Sequence, residues 1–151
     1  YADRSNQIEN SLETRFGIAS GTKFFTALAI GKLIKAQKLS FSTLLKDCIA
    51  LDFPHYPQEI TIRHLLTHTS GIPDYYDEEK IENFDNFTLS IPWYALSGPR
   101  DYLAAFPDEA VKFAPGERFS YSNGGYILLG VVIEELTGMR YQDFVEQAIF
   151  K

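Results

Sequence analysis

Residues 13–35 read ETRFGIASGTKFFTALAIGKLIK, and the interpretation of the whole sequence starts from this stretch. Its first seven residues, Glu13 to Ala19, alternate loosely between polar and apolar side chains, which predicts a short β-strand. Ser20 is suited to a helix start, and apolar residues then cover most of the circumference of a helix that ends at about Lys35. We therefore expect a strand that runs into a helix buried in the core.

The C-terminal third of the sequence predicts two further helices. The first is strongly apolar over Tyr126–Leu136 and is closed by Gly138, and the second is amphipathic over Tyr141–Phe150. Before them, Phe119–Gly125 (FSYSNGG) is rich in turn-forming residues. We expect this segment to be a loop that faces a site.

The middle of the chain predicts short helices separated by turns. Periodicity indicates an amphipathic helix over Phe41–Leu51, and the two prolines of residues 53–57 indicate a turn. Thr61 suits the N-cap of a helix of about two turns over Ile62–His68, and Pro99–Phe106 again has a helical pattern with proline in its first turn.

An acidic, aromatic and aperiodic segment spans residues 74–90. We expect a surface loop there. Its acidic cluster consists of Asp74, Asp77, Glu78 and Glu79, and acidic loops are usually solvated. We assign this cluster no chemistry.

Composition and charge narrow the class of protein. A chain of 151 residues with 45% hydrophobic residues predicts one globular domain. The formal net charge is −6 and no basic block is present, which argues against a nucleic-acid partner. The longest strongly apolar run, Tyr126–Ile133, is far shorter than the roughly 20 residues that span a bilayer. Cys48 is the only cysteine, so an intramolecular disulfide is excluded.

Ser20 and Lys23 carry the first chemical signal. A serine hydroxyl is a poor nucleophile unless a base within hydrogen-bond reach removes its proton. Positions three apart share one face of a helix, so a helix that starts at Ser20 brings the Lys23 amine to the Ser20 oxygen. Apolar surroundings favour the neutral amine, which can accept that proton. The alternative is a serine N-cap followed by a first-turn lysine, and Ser-x-x-Lys alone does not decide between them.

Two other kinds of site are weaker candidates. Residues 17–23 differ from a phosphate-binding P-loop, because three residues instead of four separate the glycines and Thr22 precedes Lys23. His64 and His68 have the spacing of zinc ligands on a helix, but the glutamate and the third ligand of such sites are missing. We predict no metal site and expect both histidines to have hydrogen-bonding roles.

Three segments, in order, resemble the class C type of serine β-lactamases and their relatives among penicillin-binding proteins, D,D-peptidases and serine esterases. Phe16–Lys23 resembles the strand and helix start around the family's nucleophile. Ile62–Pro73 resembles its segment between motifs, and Phe113–Asn123 resembles the approach to its Tyr-x-Asn motif. The resemblance covers most of the chain. It implies an α+β, β-lactamase/transpeptidase-like fold, of which this chain would contain mainly the helical part and one or two N-terminal strands.

The resemblance implies a role for each matched residue. Ser20 would be the nucleophile that carries the acyl group, and Lys23 and Tyr121 would be the coupled pair that accepts its proton. Which of the two takes that proton stays open, because coupled groups titrate together. Asn123 would donate its side-chain amide to a substrate carbonyl. No cofactor is implied.

The family's third motif, Lys-Thr-Gly or His-x-Gly on a strand, does not follow Asn123. The chain also starts without methionine or a signal peptide, so we expect residues 1–151 to be an incomplete catalytic domain without its C-terminal sheet strands. The Ser20 amide would be the remaining oxyanion donor, and losing one donor lowers the rate about a hundredfold to a thousandfold. We expect this piece alone to be inactive or very weak. Its open strand edge predicts a homo-oligomer or pairing with the missing part.

Two functions follow from the resemblance. The first is a serine hydrolase that forms an acyl-enzyme with a small-molecule or peptide substrate: a β-lactam, a D-alanyl peptide or an ester. The alternative is a non-catalytic β-lactamase-fold module that binds a partner. The sequence does not decide the location of the protein, whereas the resemblance implies an exported or envelope-associated bacterial protein.

Overall fold

The computed structural model describes residues 1–50, 56–78 and 80–151. Five α-helices are labelled in chain order: α1 Thr22–Lys35, α2 Leu45–Cys48, α3 Ile62–Leu66, α4 Asn123–Thr137 and α5 Tyr141–Val145. Shorter 3₁₀-helices occupy Ala19–Gly21, Phe84–Asn86, Trp93–Ala95 and Pro99–Ala105, and a π-helical turn over Glu146–Phe150 continues α5. None of the helices in the described ranges is long and apolar enough to cross a membrane.

The strand predicted over Glu13–Ala19 is wrong. Residues 14–18 have no regular secondary structure, and Ala19 begins a 3₁₀ turn. A strand needs a neighbour to hydrogen-bond with, and within the described residues the only β pairings are isolated bridges, Asp3 with Ile8 and Leu44 with Thr61. The part of the chain that the structure describes is therefore helical, without the strands of the expected α+β class.

The core lies between α1 and α4, with α3 packed on α4. All three helices contribute fully buried side chains: Ala29 and Ile30 of α1, Ile62 and Leu65 of α3, and Leu128, Leu129, Val131, Val132 and Ile133 of α4. Burial of each Leu, Ile or Val side chain contributes roughly 1.5–3 kcal/mol. This packing fixes α1 against α4.

Only one face of α1 is buried, whereas the sequence predicted burial around most of its circumference. Phe24 is 63% exposed and Leu28 is 40% exposed, while Thr26, Ala29, Ile30 and Leu33 are buried. The described neighbours of α1 cover one side of it. The prediction of burial around most of the circumference is therefore wrong for the face that carries Phe24 and Leu28.

The short helices lie at the positions that the sequence predicted. Thr61 caps α3 as predicted, because its Oγ1 accepts from the His64 N–H and the His64 ring accepts from the Thr61 N–H. Pro99–Ala105 is helical, in 3₁₀ form. The helix predicted over Phe41–Leu51 shrinks to α2, and residues 51 and 53–55 of the predicted helix and turn lie outside the described residues.

The acidic segment is only partly a solvated surface loop. Glu78 is exposed, but Asp74 and Asp77 are buried, and Glu79 lies outside the described residues. Lys112 Nζ lies 2.6 Å from Asp77 Oδ2, so this carboxylate is buried with a cationic neighbour. The sequence pattern could not show these contacts, because Lys112 is far away along the chain.

Helix α4 begins earlier than its apolar run suggests. Ser122 is the N-cap, and its Oγ accepts from the Gly125 N–H at 2.9 Å. Asn123–Gly125 therefore belongs to the helix and not to the loop predicted there. Gly138, with φ 67°, closes the helix as predicted.

Candidate active site

Ser20 lies in the 3₁₀ turn that leads into α1, and its side chain is exposed. The residue before it, Ala19, has φ 45°, in the left-handed region that side chains other than glycine rarely adopt. Such a conformation is unfavourable by roughly 1–2 kcal/mol. The turn therefore presents Ser20 at the start of the helix through a strained residue.

Lys23 contacts Ser20 from the first turn of α1. Its Nζ donates to Ser20 Oγ at 3.1 Å, so the three-residue spacing brings amine and hydroxyl together as predicted. Lys23 also donates to Asn123 Oδ1 at 2.8 Å and lies 4.9 Å from the centre of the Tyr121 ring. The amine thus connects α1 to the start of α4.

Tyr121 reaches Ser20 from the loop before α4. Its Oη donates to Ser20 Oγ at 2.8 Å, although about a hundred residues separate the two in sequence. Ser20 Oγ is therefore within hydrogen-bond distance of both groups that could take its proton. The structure brings together Ser20, Lys23, Tyr121 and Asn123, which are all four of the residues predicted from the sequence.

Both polar atoms of the Asn123 side-chain amide form hydrogen bonds. Its Oδ1 accepts from Lys23, and its Nδ2 donates to the Tyr76 carbonyl at 3.2 Å. An asparagine amide carries two N–H donors, so a second donor remains for another acceptor.

His68 was expected to have only a hydrogen-bonding role, and it also packs against the site. Its Nδ1 accepts from the Ser122 N–H at 3.0 Å, and its ring stacks on Tyr121 at 4.5 Å and on Tyr126 at 5.1 Å. Burial, and then the charge of Lys23, lowers the pKa of His68 below its usual value. The neutral ring that this favours can accept at Nδ1.

Asp74 was expected to be solvated, and this expectation is wrong because its side chain is buried beside the start of α4. Its carboxylate accepts from the N–H groups of Asn123 and Gly124, the latter at 3.2 Å, and from Tyr76 N at 3.1 Å. Burial raises the pKa of Asp74, while these three hydrogen bonds act in the opposite direction. The N–H groups at the start of α4 have no partner inside the helix, which indicated that an acceptor was needed. They did not indicate which residue supplies it.

A cleft of about 640 Å³ opens beside Ser20. Lys23 and Thr26 of α1 line it, together with residues of α4 and of the segment from Leu96 to Tyr102. Tyr141 also lines the cleft and is hydrogen-bonded to Thr26, with 2.7 Å between the two oxygens. A cleft of this size accommodates a small molecule or a short peptide segment.

The two histidines that suggested zinc are used differently. His64 Nδ1 accepts from Thr61 N and His68 Nδ1 accepts from Ser122 N, as the expected hydrogen-bonding roles require. Within residues 1–50, 56–78 and 80–151, no three His, Cys, Asp or Glu side chains come close enough together to hold a metal ion.

The sequence matches the Beta-lactamase family over residues 1–151. The chain belongs to the β-lactamase family. This confirms the resemblance of the three ordered segments. Penicillin-binding protein 4* of Bacillus subtilis (strain 168) is 35% identical over 153 residues, which cover 99% of this β-lactamase-family chain and 31% of that protein. The chain spans about a third of the length of the curated relatives it matches.

Solved structures of this family share the fold. A penicillin-binding protein from Bacillus halodurans is 48% identical with a TM-score of 0.88, over 99% of this chain and 45% of that one. An octameric penicillin-binding protein homologue from Pyrococcus abyssi is 34% identical with a TM-score of 0.80, over 99% and 34%. D-amino acid amidase from Ochrobactrum anthropi SV3 is 27% identical with a TM-score of 0.73, over 99% and 38%. The β-lactamase/transpeptidase-like fold is thus confirmed, and the chain is related to serine hydrolases.

Proposed function

We propose that the protein is a serine hydrolase that works through an acyl-enzyme, with Ser20 as the nucleophile. The observation that supports this most strongly is the convergence of two proton-accepting side chains on one oxygen. Tyr121 Oη lies 2.8 Å and Lys23 Nζ 3.1 Å from Ser20 Oγ. A hydroxyl that only capped a helix would need neither contact.

The proposed reaction has two half-steps. Ser20 Oγ attacks the carbonyl carbon of the substrate while its proton moves to whichever of Lys23 and Tyr121 is unprotonated. The leaving group takes up that proton as its bond to the carbonyl carbon breaks, which leaves an ester on Ser20. A water molecule then attacks the ester, gives up a proton to the same pair and restores the Ser20 hydroxyl.

Asn123 is proposed to orient the substrate. One N–H of its amide donates to the Tyr76 carbonyl, and we assign the second to a carbonyl oxygen of the bound substrate. Its Oδ1 meanwhile holds Lys23 beside Ser20. The residue would therefore place both the substrate and one member of the proton-accepting pair.

The proposed substrates are β-lactams, D-alanyl peptides and esters. All three present a carbonyl carbon attached to a leaving group, which is what Ser20 requires. The names of the relatives fit this range, since they include penicillin-binding proteins and a D-amino acid amidase. We also propose that residues 1–151 form the N-terminal and helical portion of a longer catalytic domain, because the matched relatives are about three times as long.

A homo-oligomer is a further part of the proposal. It is supported by the Pyrococcus abyssi relative, which is octameric. Light scattering on the full-length protein tests this, and a monomeric mass would overturn it.

The alternative function, a non-catalytic binding module of the same fold, is less well supported. Binding alone does not require an amine and a phenol to meet at a serine hydroxyl. The two functions differ in one measurable respect, which is turnover.

Hydrolysis by the full-length protein tests the proposal. A β-lactam, a D-alanyl dipeptide and an activated ester are each incubated with wild type, with Ser20→Ala and with Ser5→Ala. Ser5 is exposed and does not line the cleft, so it serves as the matched control. We expect hydrolysis of at least one substrate by wild type and Ser5→Ala, and none above background by Ser20→Ala. Turnover that survives in Ser20→Ala would overturn the assignment of the nucleophile.

A further inference from the structure

The start of α4 has three successive backbone N–H groups that need acceptors. The first N–H groups of any helix have no partner inside the helix. Here the N–H of Ser122 donates to His68 Nδ1 at 3.0 Å, and those of Asn123 and Gly124 donate to the Asp74 carboxylate. Side chains of another segment therefore accept all three.

Both acceptors come from one short segment, residues 68–74. This segment is fixed by backbone hydrogen bonds, in which Ser120 N donates to His68 O and Lys112 N donates to Gly71 O. Gly71 has φ 74°, and a Cβ there would lie 2.3 Å from the Phe113 carbonyl oxygen, so only glycine fits. These contacts fix the backbone of the 68–74 segment, which carries the two acceptor side chains.

The three N–H groups belong to residues 122–124, where the chain turns from the loop that carries Tyr121 into α4. Moving this turn would change the distance from Tyr121 Oη to Ser20 Oγ and from Asn123 Oδ1 to Lys23 Nζ. His68 also stacks on the Tyr121 ring, which restricts the orientation of the phenol.

We propose that His68 and Asp74 are positioning residues for the reaction at Ser20, and that they hold the turn from Tyr121 to Gly124 in its productive geometry by accepting its backbone N–H groups. This inference rests on the proposed function. It adds two residues outside the Ser-x-x-Lys and Tyr-x-Asn motifs.

The proposal requires a neutral His68. Protonation places a hydrogen on Nδ1, which would then face the Ser122 N–H with no acceptor between the two. The titratable groups that face His68 are Lys23 from α1, Tyr121 from the turn and Tyr126 from α4. Activity should therefore fall on the acid side as His68 protonates. Burial and Lys23 move that fall to a pH below the ordinary pKa of histidine.

Two substitutions of His68 in the full-length protein distinguish the effect of its hydrogen-bond acceptor from the effect of its aromatic ring. His68→Asn keeps an acceptor oxygen near the position of Nδ1, tolerates the φ of 55° at this position and does not titrate. His68→Phe keeps an aromatic ring for stacking but has no acceptor. The measurement is kcat and KM from about pH 5 to 8, the range in which histidine titrates.

The protonation of His68 should cause an acid limb, which is a decrease in kcat at acidic pH. We expect His68→Asn to lose this decrease. We expect His68→Phe to lower kcat about 10- to 100-fold relative to His68→Asn, the effect of leaving one buried N–H unpaired, with KM little changed. The proposal is overturned if His68→Asn keeps the wild-type acid limb or if His68→Phe is as active as His68→Asn.

A second measurement does not depend on activity. The ¹H–¹⁵N resonance of the Ser122 amide should shift with pH in wild type, following the titration of His68, and should not shift in His68→Asn. A Ser122 resonance that is insensitive to pH in wild type would contradict the inference. If wild type forms no acyl-enzyme, the proposed function fails, whereas this resonance still tests the contact between His68 and Ser122.

Discussion

Lys23 Nζ donates to Asn123 Oδ1 at 2.8 Å, and this hydrogen bond joins the first turn of α1 to the first residue of α4. It brings the Ser-x-x-Lys and Tyr-x-Asn motifs into one site, because Tyr121, two residues before Asn123, is thereby held over Ser20. An amide oxygen at this place contacts the lysine without adding a charge. Under the proposed function this neutrality matters, because Lys23 is one of the two groups proposed to accept the Ser20 proton.

A negative charge at position 123 should lower kcat. Asn123→Asp places a carboxylate beside Lys23, where the wild-type amide oxygen accepts from Nζ at 2.8 Å. At one fixed pH we expect Asn123→Asp to lower kcat more than Asn123→Ala does, because a neighbouring carboxylate favours the charged amine, which cannot accept a proton. Equal kcat values for the two variants would count against a role for Lys23 in proton transfer.

The Tyr121 hydroxyl should contribute more to kcat than its ring. Tyr121→Phe retains the stacking on His68 but removes the Oη that lies 2.8 Å from Ser20 Oγ. Loss of a general acid or base typically lowers kcat about 10²- to 10⁴-fold. The control is Tyr94→Phe, which removes a hydroxyl from a side chain that is 73% exposed and outside the cleft. Equal kcat values for the two variants would remove Tyr121 from the proton-accepting pair.

Two glycine substitutions should change stability in opposite directions. A Cβ at Gly130 in α4 would lie 2.8 Å from Pro99 Cγ, so Gly130→Ala should reduce the free energy of unfolding by about 1–3 kcal/mol. A Cβ at Gly31 in α1 meets nothing within 4 Å, so Gly31→Ala should raise it by about 0.5–1 kcal/mol. Urea denaturation measures both. A neutral Gly130→Ala would show that α4 does not pack closely against the 3₁₀-helix at Pro99.

Acid should destabilise the fold before it titrates most carboxylates. Burial lowers the pKa of both His64 and His68 in the folded protein, so the unfolded chain binds more protons at pH values between the lowered pKa and about 6.5. The free energy of unfolding should therefore be constant above about pH 6.5 and fall as the pH decreases through that window. His68→Asn should reduce this fall, and a wild-type stability that increases on acidification in this range would be inconsistent with both shifts.

The sequence predicted which four residues come together better than it predicted what surrounds them. Ser20 and Lys23 could be paired because helical geometry alone brings positions three apart together. Tyr121 and Asn123 required the resemblance to a family, since no local rule relates residues about a hundred positions apart. The apolar run of α4 and its closing Gly138 were also predicted from the sequence, because the hydrophobic pattern and the left-handed C-cap are local properties.

The errors have physical causes that lie outside local sequence. The strand over residues 13–19 was predicted from alternation, which shows a tendency but not the partner that a strand needs. Asp74 and Asp77 were predicted to be solvated because acidic loops usually are. The structure buries them against α4 N–H groups and Lys112, which are partners contributed by distant segments. Phe24 was predicted to be buried because the hydrophobic pattern does not distinguish a covered face of a helix from an exposed one.

Covalent labelling of Ser20 is the most direct test of the central claim, that this residue is an acylated nucleophile. The full-length protein is incubated with a β-lactam and, separately, with a fluorophosphonate, and the labelled residue is mapped by peptide mass spectrometry. The account predicts a single adduct on the peptide that contains Ser20, and its absence in Ser20→Ala. An adduct on another residue, or one that persists in Ser20→Ala, would contradict it.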